Sequence, residues 1–247
     1  MNTTSTDDVT GCSDQLEFLS NFEQCGNATL DSYQAEISTL LEEISSAKQE
    51  YEHSVSGSTY RGKAYGFGGM RPEVSTRLYG LVRYFKPQVL VETGVCNGVS
   101  TAVILAAMRR NGSGDLYSID LPEFTDTEYT EGDFWEGKGG AAVPKQKQPG
   151  WIIPDALRDS WSLILGSSRT ELPPLLDRLE KIDFFLHDSE HSYECMMFEY
   201  DSAWNHLVSG GILVSDDLGW NTAFKDFAVR EDRISYMIDW NMAFIVK

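Results

Sequence analysis

The sequence is poor in positive charge. Its 247 residues hold 20 Lys+Arg against 38 Asp+Glu, a formal net charge of −18. A chain with that balance repels phosphate backbones, so nucleic acid is excluded as an expected partner. The acids are spread along the chain instead of gathered in one tail. That pattern suits a high-salt proteome, in which dense carboxylates keep a surface hydrated, and a halophilic source is expected. Cysteine is scarce too: Cys12, Cys25, Cys96 and Cys195 form no close pair and no metal-binding spacing. Neither a disulfide framework nor a zinc site is expected. No run is long and apolar enough to span a bilayer. The opening MNTTSTDDVTGCSDQ lacks the basic and apolar regions of a signal peptide. A cytoplasmic protein is the expectation.

What is present suffices for a globular core: 41% of the residues are hydrophobic. The length favours one α/β domain with an N-terminal appendage. Residues 1–28 are polar and acidic and read as a disordered tail. Residues 29–70 read as a helix followed by a substrate loop. Leu30, Tyr33, Ile37, Leu40, Leu41, Ile44, Ala47 and Tyr51 recur at helical spacing over 29–54. That apolar face fits either a cover for the core or a homodimer interface. The stretch SGSTYRGKAYGFGGM (56–70) places Tyr60, Arg61, Lys63 and Tyr65 on glycine-rich backbone, suited to a loop over an active site or to a plain linker.

From residue 71 to 247 strands and helices alternate. Strands are predicted at 88–94, 115–120, 161–166, 182–188, 211–217, 232–237 and 242–246. Helices are predicted at 99–110, 170–179, 192–208 and 221–229, with another opened by Pro72. Segment 121–150 shows no periodic element and reads as a functional loop. This alternation predicts an α/β, Rossmann-like fold: a seven-stranded, mostly parallel sheet with helices on both faces and a C-terminal β-hairpin. Ligands in such sheets bind outside the carboxyl ends of the strands, where the strand order reverses.

Three clusters fall at those ends. In VETGVCNGVST (91–101) an acid closes a strand, Gly94 and Gly98 permit a tight turn, and a helix starts whose N–H groups can hold an anion. The G-x-G-x-x-G spacing of nicotinamide-binding folds is missing. Asp120 ends the second strand, where a carboxylate can accept ribose hydroxyls or cap a turn. After the fourth and fifth strands come HDSEHSYE (187–194) and Asp216-Asp217. Carboxylates Asp188, Asp216 and Asp217 converging on one point would raise each other's pKa, a cost that a hard divalent cation removes. Capping of the next helix is the plainer role for the 216–217 pair. His191, three residues beyond Asp188, suits a general base. His53, His187 and His206 read as surface or packing residues. Trp135, Trp151 and Trp161 suit either sugar stacking or loop anchoring.

In this order VETGVCNGVST, LYSID, ILGSSRTELPPLL, FFLHDSEHSYE and GGILVSDDLGW resemble the class I S-adenosylmethionine (SAM)-dependent methyltransferases. The nearest branch is that of metal-dependent sugar O-methyltransferases, of the macrolide and macrocin type, and cephalosporin-hydroxylase-like proteins. The resemblance spans about residues 71–230. It implies that Glu92, Gly94 and Gly98 shape the SAM pocket, with Ser100 and Thr101 near the methionine carboxylate. Asp120 would hold the ribose, Ser167 and Ser168 would lie by the adenine, and Asp188 would border both donor and metal. It further implies Mg²⁺ or another divalent cation on Asp188, Asp216 and Asp217, with His191 as base. The implied activity is methyl transfer to a hydroxyl or carboxylate of a sugar, nucleotide sugar or lipid-linked glycan. A nicotinamide-dependent oxidoreductase and a non-catalytic SAM- or glycan-binding protein are the alternatives.

Overall fold

The computed structural model describes residues 28–55, 59–60, 63–64, 66–125 and 140–247. Of the tail expected at 1–28 only Ala28 is among them, as the first residue of a helix; Arg61, Tyr65 and Trp135 lie outside, as do the side chains of Tyr60 and Lys63. The sheet strands are β1 Val89–Thr93, β2 Asp115–Asp120, β3 Trp161–Leu165, β4 Ile182–His187, β5 Leu207–Ser215, β6 Tyr236–Met237 and β7 Ala243–Val246. They lie in the order β3-β2-β1-β4-β5-β7-β6, parallel from β3 to β5 and antiparallel at β7 and β6. This is the predicted seven-stranded sheet with its closing hairpin. The strand order reverses between β1 and β4, so a cleft opens above their carboxyl ends.

Helices α1 Ala28–Glu36, α2 Ser38–Ser54, α3 Pro72–Phe85, α4 Val99–Asn111, α5 Ser168–Leu179, α6 Tyr193–His206 and α7 Ala223–Arg230 cover the sheet. Strand residues alternate between two cores, as a period of two demands. Leu90, Phe184, Leu186, Ile212, Val214 and Phe244 enter one, under the N-terminal helices. Val91, Phe185, Leu213 and Ile245 enter the other, under α5, α6 and α7. Strands buried on both faces read as continuous apolar runs, which is why FFL and ILV stood out in the sequence.

Three expected boundaries move, one of them at the strand expected over 232–237, which shrinks to Tyr236–Met237. The helix expected over 29–54 breaks at Ile37, whose backbone (φ −109°, ψ 11°) leaves the helical region. Helix α6 ends at His206 and β5 starts at once, so Leu207 and Val208 are strand where helix was expected. Leu207 pairs with Ile182 there, ahead of a register shift that brings Phe184 opposite Ile212.

The apolar face of α1 and α2 is used within the chain. Ile37, Leu40, Ile44 and Tyr51 are buried in the core. Tyr79 donates to Glu36 at 2.6 Å, Arg83 pairs with the same carboxylate at 2.9 Å, and the Tyr51 hydroxyl donates to the Gly66 carbonyl at 2.9 Å. The face that raised the homodimer expectation is thus a cover for the core. No helix among the described residues is long and apolar enough to cross a membrane.

Candidate active site

The sheet carries its hydrogen-bonding pattern one residue past the strand ends. Gly94 N donates to the Ile119 carbonyl (2.8 Å), Asp188 N to Thr93 (2.8 Å), Asp216 N to His187 (3.0 Å) and Gly166 N to Asp120 (2.9 Å). Those four bonds place the glycine loop, Asp120, Asp188 and Asp216 around one opening. A cavity of about 850 Å³ lies there, lined by Gly94–Ser100, Asp120, Ser167, Ser168, Asp188, His191, Asp216 and Asp217.

The two loop glycines are required by protein packing. Both have positive φ (+87° and +100°), a region costly for other residues. A Cβ on Gly94 would stand 1.9 Å from the Asp188 carbonyl oxygen, and one on Gly98 2.7 Å from Gly150 Cα. The sequence suggested a tight turn; the packing adds a second demand, since backbone of the Asp188 and Gly150 segments fills the space a side chain would need.

Glu92 and Thr101 are absent from the cavity wall. Glu92 is fully buried and accepts from Ser100 (2.6 Å), Thr101 (2.7 Å) and Ser118 (2.8 Å), with Trp161 donating to the same Ser118 hydroxyl (2.9 Å). Burial pushes the Glu92 carboxyl up to about 7, against the pull of those three hydroxyls. This network holds the loop to the sheet and the start of α4 from beneath; of its members expected near the donor, Ser100 alone reaches the cavity.

Asp120 does face the cavity. One carboxylate oxygen accepts from Val95 N (3.2 Å), and the other, Oδ2, is buried with no hydrogen-bond partner. Burial raises its pKa to about 6. A buried acceptor without a donor is costly unless a ligand satisfies it. Ser167 caps α5 by accepting from Arg169 N (3.3 Å), and Ser168 lies 3.9 Å from the Cys195 sulfur, both beside the cavity.

At the other end of the cavity Asp188, His191 and Asp217 offer ligand atoms all within 4.8 Å of one another. This convergent group holds two of the expected acidic trio, Asp188 and Asp217, together with His191. The Asp216 carboxylate is engaged by the Asp217 backbone N–H at 2.8 Å, as a turn that sets Asp217 at φ +57°. Burial, then the charges of Asp216 and Asp217, lift Asp188 well above the usual carboxylate range. Burial lifts Asp216 to about 6. Asp217 stays below its ordinary value, because hydrogen bonds from His191, Asn241 and Trp220 outweigh its burial. No Lys or Arg forms an ion pair with Asp120, Asp188, Asp216 or Asp217 among the described residues.

Behind His191 runs a chain that sequence reasoning missed. His191 Nδ1 lies 3.3 Å from His187 Nε2, and His187 Nδ1 lies 2.6 Å from Glu199 Oε2. Glu199, inside α6, also accepts from Thr93 (2.6 Å) and Ser189 (2.7 Å). A carboxylate only accepts, so His187 carries its proton on Nδ1 and turns Nε2 toward His191. On its other side His191 Nε2 hydrogen-bonds to Asp217 Oδ2, 3.0 Å away. His187 was expected to be a packing residue; its spacing of twelve from an acid on the following helix was the one available signal.

Of the tryptophans singled out from the sequence, Trp151 and Trp161 are tied into the fold by hydrogen bonds. Trp151 donates to Asn97 (2.5 Å) and Trp161 to Ser118, and neither lines the cavity. Trp220 and Trp240, on the turns after β5 and before β7, do line it. So do Gly66–Met70, the described end of the expected substrate loop.

The fold recurs in solved structures. The O-methyltransferase NovP aligns at 16% identity over 88% of this chain and 97% of its own, with a TM-score of 0.57. A methyltransferase from Geobacter sulfurreducens aligns at 14% identity over 86% and 95%, TM-score 0.54. The SAH-bound Podospora anserina methyltransferase PaMTH1 aligns at 11% over 100% and 97%, TM-score 0.51. No curated protein matches the chain in sequence. The family model described as a methyltransferase domain matches residues 91–218, just over half of the chain and the whole span from the glycine loop to Asp217. With that match the nicotinamide alternative falls, and the chain belongs to the methyltransferase-domain family as a class I SAM-dependent methyltransferase.

Proposed function

We propose that the chain is an O-methyltransferase that moves the SAM methyl group to a hydroxyl of a sugar-like acceptor with the help of a divalent cation, Mg²⁺ in the simplest case. The observation that carries this reading is that Asp188, His191 and Asp217 converge in the same cavity into which the glycine loop and Asp120 open. NovP, similar in fold, is itself an O-methyltransferase.

The residues fit both groups. The partnerless Oδ2 of Asp120 matches a ribose hydroxyl, and the surplus of buried carboxylate charge matches a cationic donor and a divalent ion. When bound, SAM supplies an electrophilic methyl carbon on a sulfonium, and a cation on Asp188 and Asp217 supplies Lewis acidity toward the acceptor oxygen. The chain does the rest. Asp120 orients the donor and the Glu92 network keeps the loop in place. His191, turned by His187 and Glu199, takes the hydroxyl proton. Confinement of the two reactants in line provides most of the remaining gain. The acidic cavity disfavours an anionic acceptor, so a hydroxyl is the better target than a carboxylate.

Calorimetry with SAM, with and without Mg²⁺, and a methyl-transfer screen over neutral sugars test this. The reading requires SAM binding, turnover lost on chelation and restored by Mg²⁺, and a His191→Ala variant that binds SAM yet turns over poorly. Undiminished turnover in excess chelator would remove the cation from it, and full activity of His191→Ala would remove the base.

A further inference from the structure

The geometry points to Trp220 and Trp240 as the acceptor platform, and to a neutral glycoside ring as what they hold. This rests on the methyl-transfer reading of the same cavity. Both indoles are large apolar surfaces left in water, Trp220 44% and Trp240 75% exposed, at the wall shared with Asp188 and Asp217. An indole offers a broad apolar face with a polar tip, the form that suits a binding surface with one side apolar and the other wet.

The platform is fixed to the chemistry. The Trp220 indole hydrogen-bonds to Asp217 and its ring stacks on His191, centroids 6.0 Å apart and planes 25° apart. Trp240 is brought alongside by Asn241, whose carbonyl accepts from Leu218 N (2.9 Å), whose Oδ1 accepts from Gly219 N (2.9 Å) and whose Nδ2 donates to Asp217 (2.5 Å). The Trp240 ring lies over Gly219: a Cβ there would stand 3.9 Å from Trp240 Cζ3. A ring resting on the two indoles therefore sits at a set distance from the atoms proposed to bind and deprotonate a hydroxyl.

The facing wall selects the class of ring. Arg71, from the start of α3, has its charge answered by Asp239 at 2.9 Å, and Asp239 also accepts from Asn241 N and Met242 N. With that cation paired, the subsite carries the negative charge of Asp217 and its neighbours, which disfavours phosphate- or carboxylate-bearing rings. Its polar groups stand beside the aromatic faces. That pairing suits a ring with one C–H face to stack and many hydroxyls to hydrogen-bond, which a catechol lacks.

The test uses the SAH- and Mg²⁺-loaded protein, with methyl glycosides of neutral hexoses and 6-deoxyhexoses as probes and catechol as the aromatic competitor. Binding is followed by saturation-transfer NMR and titration, methylation by turnover on the same samples with SAM. The wild type should bind a glycoside. Trp240→Ala should weaken it roughly five- to tenfold, as loss of a stacking face does, with Trp240→Phe recovering most of the affinity. The SAH dissociation constant should stay within twofold. Trp240 is exposed, so its replacement leaves the core intact. Unchanged glycoside affinity in Trp240→Ala overturns the platform, as does tighter binding of catechol than of every glycoside, or no glycoside binding at all. Tryptophan-dependent glycoside binding without methylation would keep the platform and sink the methyl-transfer reading instead.

Discussion

His187 Nδ1 and Glu199 Oε2 meet 2.6 Å apart, and neither side chain is exposed to solvent. A carboxylate placed in the interior survives there because every oxygen has a donor: His187, Thr93 and Ser189 surround it. The pairing ties α6 to the ends of β1 and β4 and so serves stability and the orientation of His191 together.

Glu199→Ala should cost about 3–5 kcal/mol, because it strands His187 without its acceptor. Burial pushes the Glu199 carboxyl up, but His187 and the hydroxyls prevail and hold it at about 2. A depressed pKa means stability that is present above the unfolded value of 4.5 and is lost as pH falls through about 2. Chemical denaturation of wild type and variant between pH 7 and pH 2 checks both points: the gap between them should close toward the acid end.

Asp120 shows the opposite sign. Its carboxyl is raised by burial from 3.8 to about 6, so folding stability is lost as pH rises through about 6. Asp120→Asn should therefore stabilise the ligand-free protein at pH 7 by roughly 1–2 kcal/mol while weakening SAH binding tenfold or more, a trade of stability for function. Thermal melts and calorimetry on one preparation read both. Wild-type SAH affinity should itself decline as pH drops below about 6, where Asp120 gains a proton.

Asp188 and the cation give a linked prediction. Mg²⁺ should raise the unfolding free energy by about 2.7 kcal/mol at a hundred times its dissociation constant. Asp188→Asn should abolish that increment and stabilise the metal-free protein, since it removes the most strongly crowded carboxylate. Asp216→Asn should keep most of the increment, because Asp216 stands outside the convergent group. Melting curves across Mg²⁺ concentration measure all three.

Two glycines separate backbone strain from collision. Gly112 and Gly94 have similar φ (+81° and +87°), but nothing lies within 4 Å of a Cβ on Gly112, whereas one on Gly94 meets the Asp188 carbonyl. Gly112→Ala should cost about 1 kcal/mol of strain. Gly94→Ala should cost several times as much and abolish SAH binding, since Asp188 and the loop must part. Circular-dichroism melts and calorimetry distinguish the two.

Much of the sheet was legible because β1, β2, β3 and β4 are apolar runs closed by Gly, Asp or His, and each lies within a residue or two of its expected span. The β5 start was misread because Leu207 and Val208 read as the end of α6, and a short apolar run does not reveal its own period. That Asp120, Asp188, His191 and Asp217 gather at one cavity was legible because each stands at or shortly after the end of a neighbouring strand. His187 and Glu199 were not, because a buried polar pair looks in one dimension like an alternation of unrelated residues. For Trp151 and Trp161 the sequence left stacking and anchoring open, and hydrogen bonds to Asn97 and Ser118 keep both side chains off the cavity, while Trp240, beside the Asn241 clamp, lines it.

By itself, the order of residues along the chain set the alternation of strands and helices, the glycine turn and the inventory of acids, because these depend on local periodicity and on which backbone angles each residue tolerates. The three-dimensional packing alone decided that His191 joins Asp188 and Asp217 while Asp216 turns to a backbone amide, that the N-terminal helices cover the core, and which tryptophans reach the cavity. Those outcomes depend on distances between segments that lie tens of residues apart, and only the closing of the sheet and its helices fixes them.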